Sequence, residues 1–168
     1  MSTKAWSVLF QLSEPAFQKH ATVLNNESQT PTLGFERLVV QLSEDRVEDS
    51  LSMSGSRSGA VETWIASTKL SGLFYVGEQV AVLGCKEIRE ALADMGIAFD
   101  RLLTSDFSYW YFDDLSMADA LLAPDDELSR LSEPDNEHPY YFILYLRDHE
   151  RQLRKALENH HYLVYLRF

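Results

Sequence analysis

Cys85 lies between an apolar run that ends at Gly84 and a helical pattern that begins near Lys86. A thiol at a helix N-terminus beside a lysine would have its thiolate favoured by the helix dipole and the ammonium group. A nucleophile there would need a histidine brought close by the fold, and His20, His138, His149, His160 and His161 are all distant in sequence. The bland alternative is a small buried hydrophobe, the usual fate of a lone cysteine. His160 and His161 are adjacent, but on alternating backbone they point apart and make a poor chelate, so the plainer reading is a surface or helix-end pair. Asp113 and Asp114 could hold Mg²⁺ at a strand end, yet they equally suit a turn before Ser116. The phosphate-binding patterns G-x-G-x-x-G and G-x-x-x-x-G-K-[ST] are missing, as is H-E-x-x-H. Gly55-Ser56-Arg57-Ser58-Gly59 fails as a hydrolase elbow, because Arg57 stands where the nucleophile belongs. No catalytic residue, metal ligand or cofactor is expected from these patterns.

The most unusual local feature is the run Asp106-Phe107-Ser108-Tyr109-Trp110-Tyr111-Phe112-Asp113-Asp114. On a strand its rings would occupy both faces, which fits a strand buried on both sides. The functional alternative leaves one face open as an aromatic anchor rimmed by acids, since Tyr and Trp often dominate binding energy at interfaces. Residues 113–137 hold nine acids and one base, out of 26 acids and 15 bases that leave the whole chain at −11. Such a field repels a phosphate backbone, so direct nucleic-acid binding is disfavoured. It would steer a basic protein inward. The expected partner-binding residues are Tyr109, Trp110, Tyr111, Asp113, Asp114, Asp119, Asp125, Asp126 and Glu127.

These residues need elements to position them. Trp6–Leu12 reads as a strand, and Ser13 caps a helix with Phe17, Ala21 and Leu24 on one stripe. Asn25 to Thr32 reads as a loop, and Phe35–Leu42 as a strand. Every second residue from Ser50 to Ser58 is serine, which suggests a hairpin tip or a flexible loop at 50–60. Val61–Ala66 and Gly72–Gly84 read as strands of a meander. Ile88, Ala91, Leu92 and Met95 mark a helix that Gly96 should end. Ile97–Leu103 and Phe107–Phe112 then read as strands. Ser116 with Asp119 forms a capping-box-like start of a short helix limited by Pro124. Tyr140–Leu146 reads as a strand, Asp148 as the cap of a helix with Leu153, Ala156 and Leu157 inward, and Tyr162–Phe168 as a final strand. A weak echo between Arg89-Glu90-Ala91-Leu92 and Arg154-Lys155-Ala156-Leu157 needs no more than shared helical period.

At 168 residues and 45% hydrophobic composition, the chain suits one domain with a real core. The expected fold class is α+β: a single domain spanning 1–168, with a mixed or mainly antiparallel sheet and helices packed on one face. No apolar run is long enough to cross a bilayer, and Met1-Ser2-Thr3-Lys4-Ala5-Trp6 does not open a signal-like stretch. One cysteine and no leader together suit a reducing cytoplasm. The functional expectation is a small acidic inhibitor, immunity or antitoxin-like, that neutralises a basic, nucleic-acid-handling protein. Two alternatives stand beside it: an adaptor or assembly subunit, and an enzyme with a non-local site near Cys85 or Asp113 and Asp114.

Overall fold

The computed structural model describes residues 6–29, 35–47, 51–54, 79–104, 115–132 and 139–167. In chain order the elements are β1 (Trp6–Leu12), α1 (Glu14–Gln29), α2 (Phe35–Asp45), β2 (Leu51–Ser54), β3 (Gln79–Leu83), α3 (Cys85–Thr104), α4 (Met117–Leu122), α5 (Asp125–Ser132), α6 (Pro139–Glu158) and β4 (Tyr162–Arg167). The strands form one sheet in the order β2-β1-β4-β3, and every described pairing is antiparallel. The protein is therefore α+β with an antiparallel sheet, as its sequence predicts.

Strand alternation sorts the core into two halves. Val8, Phe10 and Leu12 of β1 join Val164 and Leu166 of β4 on one face, against Leu24 of α1 and Leu38 and Leu42 of α2. Leu9, Leu83, Leu163 and Tyr165 lie on the opposite face with residues of α3, α4, α5 and α6. Register places the members of each set opposite one another, for example Phe10 with Val164 and Leu9 with Tyr165. The helices expected on one face thus cover both. The physical reason is that β1, β3 and β4 carry apolar side chains on each face, so neither can be left to water.

Several local expectations change accordingly. Phe35–Leu42 is helix, not strand: Phe35, Leu38, Val39 and Leu42 recur at i, i+3, i+4 and i+7, and Leu38 and Leu42 are buried. Helix α1 runs on to Gln29, through residues expected to be loop. Gly96 does not end α3, and the expected strand Ile97–Leu103 continues the helix to Thr104. A glycine inside a helix costs about 1 kcal/mol relative to alanine, less than the burial of a side chain such as Met95 contributes. Tyr140–Leu146 likewise belongs to α6, which passes through Asp148 without a break. Its buried positions, Tyr140, Ile143, Leu146, His149, Leu153 and Ala156, advance by three or four, and Pro139 sits at the first helical position, where its missing N–H is harmless. Leu51–Ser54, expected within a flexible tip, is strand β2 paired with β1. The expected strands Val61–Ala66 and Phe107–Phe112, residues 72–78, and the rest of the serine-rich segment lie outside the described residues.

Among the described residues no helix is long and apolar enough to cross a membrane.

Candidate interaction surface

The acidic stretch that is described begins at Ser116, in extended backbone, whose Oγ accepts the Asp119 amide at 3.1 Å and donates to Asp119 Oδ2 at 2.9 Å. That exchange satisfies one of the free donors at the start of α4. Ala123 closes α4 with a hydrogen bond from its amide to the Ala120 carbonyl. Pro124 bars a further helical turn, and its carbonyl accepts the first α5 bond from the Leu128 amide. Asp125, Asp126 and Glu127 then fill the first turn of α5, where partial positive charge on the free amides favours carboxylates.

Helix α6 holds this corner. The Arg147 guanidinium donates through Nη1 to the Ala123 carbonyl at 2.7 Å and to Asp125 Oδ1 at 2.7 Å. Through Nη2 it donates to the Leu121 carbonyl at 2.9 Å, with the Ala120 carbonyl at 3.5 Å. One planar cation thus occupies the Leu121 and Ala123 carbonyls at the end of α4, which have no partner inside the helix, and shares the Ala120 carbonyl with the Ala123 amide. About two turns earlier on α6, the Tyr140 hydroxyl accepts the Leu115 amide at 3.0 Å and donates to the Leu115 carbonyl at 2.9 Å. Ala120, Ala123 and Leu128 are buried beneath. Asp125 also pairs with Arg151, which bridges to Asp148. Burial pushes the Asp125 carboxyl upward, but hydrogen bonds from Arg147 and Arg151 and their charges prevail and hold it below the usual carboxylate range. Asp148 is raised, chiefly by burial, with Arg151 opposing.

What the corner presents to solvent differs from what holds it. Asp119 and Asp126 are exposed, Glu127 is half-buried, and Leu122 is 86% exposed at the tip between the two helices. Among the expected partner-binding residues, Asp119 and Asp126 face outward, while Asp125 is engaged internally. Tyr109, Trp110, Tyr111, Asp113 and Asp114 lie outside the described residues. Leu122, Arg147 and Tyr140 were not singled out by sequence. The Ala-Leu-Leu-Ala-Pro run does not show which leucine faces out, and nothing local links Arg147 to a carbonyl 24 residues earlier.

Cys85 is half-buried in the first turn of α3, where the Gly84 amide already donates to Glu87 Oε2 at 3.1 Å. His160 and His161 form the C-terminal cap of α6, the helix-end position expected for them. The His160 amide donates to the Leu157 carbonyl and the His161 amide to the Ala156 carbonyl at 2.8 Å, with His160 in left-handed backbone at φ 54°. His160 is exposed, whereas Gln11 Nε2 donates to His161 Nδ1 at 2.8 Å, which requires the proton on the other ring nitrogen. Burial, and then the Lys155 charge, lower the His161 pKa and favour that neutral form. Between α1 and α2, Asp45 Oδ2 takes Lys19 Nζ at 2.8 Å and His20 Nε2 at 2.6 Å. Among the described residues no group of three or more His, Cys, Asp or Glu is placed to hold a metal ion.

Taken together, fold and surface define an α+β domain that carries an acidic two-helix corner pinned to a long helix. No protein-family model, curated protein or solved structure matches the chain.

Proposed function

We propose that this protein is a binding protein for a basic macromolecular partner, acting as an inhibitor of immunity or antitoxin type on a nucleic-acid-handling protein in the cytoplasm. The observation that carries the reading is the α4–α5 corner. Its inward side is consumed by Arg147, Tyr140 and the core, and its exposed charged residues are Asp119 and Asp126 together with Arg130 at the end of α5. A carboxylate on a pre-ordered helix costs little entropy when a cation docks on it, so charge there translates into fast encounter. The surplus of acids in residues 113–137 extends the same field. A lone cysteine is consistent with cytoplasmic residence.

The test is retention of host proteins at low salt on the immobilised wild type and on the double variant Asp119→Lys, Asp126→Lys. The expected result is one stoichiometric basic protein on the wild type, slower association with the variant, and loss of that protein's own activity when the wild type is added. Equal retention by both would overturn the reading, as would a retained protein that keeps its activity.

A further inference from the structure

The charged groups account for encounter but not for lasting attachment, and the same corner holds the most exposed large apolar side chain of the described residues. Leu122 is 86% exposed, against 60% for Val40 on α2 and 44% for Ile97 on α3. Single exposed leucines are common and need no explanation by themselves. Leu122 differs in its setting. It is the last residue of α4, where a helix end would ordinarily fray, yet the carbonyls of Ala120, Leu121 and Ala123 around it are all bonded to Arg147. Asp119 precedes it by three residues on the same helix face, and Asp126 follows in the first turn of α5. Asp125, the acid between them, is neutralised by Arg147 and Arg151.

Resting on the binding reading above, we infer that Leu122 is the anchor of the interface, inserted into an apolar recess of the partner whose rim carries lysine or arginine. A side chain projected from an immobilised backbone loses little freedom on docking, so its transfer from water is retained as binding energy. The two flanking carboxylates select the occupant. They match a recess with a cationic rim, and they disfavour a second copy of this chain, which would bring acid against acid. Charge sets the rate of arrival; the leucine sets the rate of departure.

The experiment measures fluorescence anisotropy at low salt with two labelled probes, an amphipathic lysine–leucine helical peptide and a length-matched oligolysine. Four proteins are compared: wild type, Leu122→Ala, Val40→Ala and the Asp119→Lys, Asp126→Lys double variant. Leu122→Ala should weaken the amphipathic peptide roughly tenfold and leave oligolysine unchanged, as expected for loss of one anchor side chain. Val40→Ala should change neither, and the double charge variant should weaken both. Wild-type affinity in Leu122→Ala, with both probes weakened by charge reversal, overturns the anchor and leaves the acidic reading standing. Absence of binding by either probe, or indifference to charge reversal, overturns both. Dimerisation that Leu122→Ala abolishes, seen by sedimentation, also overturns the inference, because the occupant would be a second copy.

Discussion

Arg147 illustrates how one side chain can decide the course of a chain segment far from it in sequence. Its guanidinium meets backbone acceptors and one carboxylate together, a geometry that lysine cannot reproduce. Replacing Arg147 by Met keeps much of the apolar stem but strands those acceptors, and should cost about 2 to 3 kcal/mol in urea unfolding. Asp125→Asn should cost less, about 1 kcal/mol or under, because that carboxylate is nearly half exposed and water screens it. Equal losses for the two variants would show that the ion pair, not the carbonyls, holds the corner. His160 supplies a second test. Its left-handed backbone is the position where glycine carries no Cβ penalty, so His160→Gly should stabilise the protein by roughly 0.5 to 1 kcal/mol in the same assay.

Helices α2, α3 and α6 each contain a segment whose composition favours strand, and in α2 and α6 the spacing of buried positions overrides composition. The signal was present for α2 in the period of Phe35, Leu38, Val39 and Leu42, and for α6 in Pro139 followed by apolar residues three apart. For α3 it was masked by Gly96, which lies in mid-helix and is exposed. A Cβ at Gly96 would meet nothing within 4 Å, so Gly96→Ala should gain about 0.5 to 1 kcal/mol and raise the thermal midpoint. A loss on that substitution would mean that the glycine serves a contact rather than interrupting a helix. Helix α4 was legible at its ends, through the Ser116–Asp119 cap and Pro124, but not in its orientation, and α5 was not anticipated at all.

Across the molecule, pH tests which ion pairs matter. Asp45 is lowered from its ordinary value, first by hydrogen bonds from Lys19 and His20, and Lys19 is correspondingly raised. A carboxyl depressed in the folded state contributes stability above its unfolded pKa, and that contribution is lost as pH falls through the folded value. Asp45→Asn should therefore lower the urea midpoint at neutral pH, with the difference vanishing toward about pH 3 or below. Asp148, raised by burial, has the opposite sign: Asp148→Asn should be better tolerated at neutral pH than in acid. A difference for Asp45→Asn that grows on acidification would contradict the α1–α2 clasp.

Composition and short-range pattern were sufficient for the α+β class, the central strands β1 and β4, the capped starts of α1 and α4, and the acidity of residues 113–137. These depend on neighbours in the chain, and a sequence displays its neighbours. The second helical layer, the internal use of Asp125 and the outward projection of Leu122 depend on which surfaces meet across the sheet and across α6. Burial is a property of contacts between distant segments, so an acid, a leucine or an arginine acquires its role only when packing assigns one side of each helix to the core and the other to water.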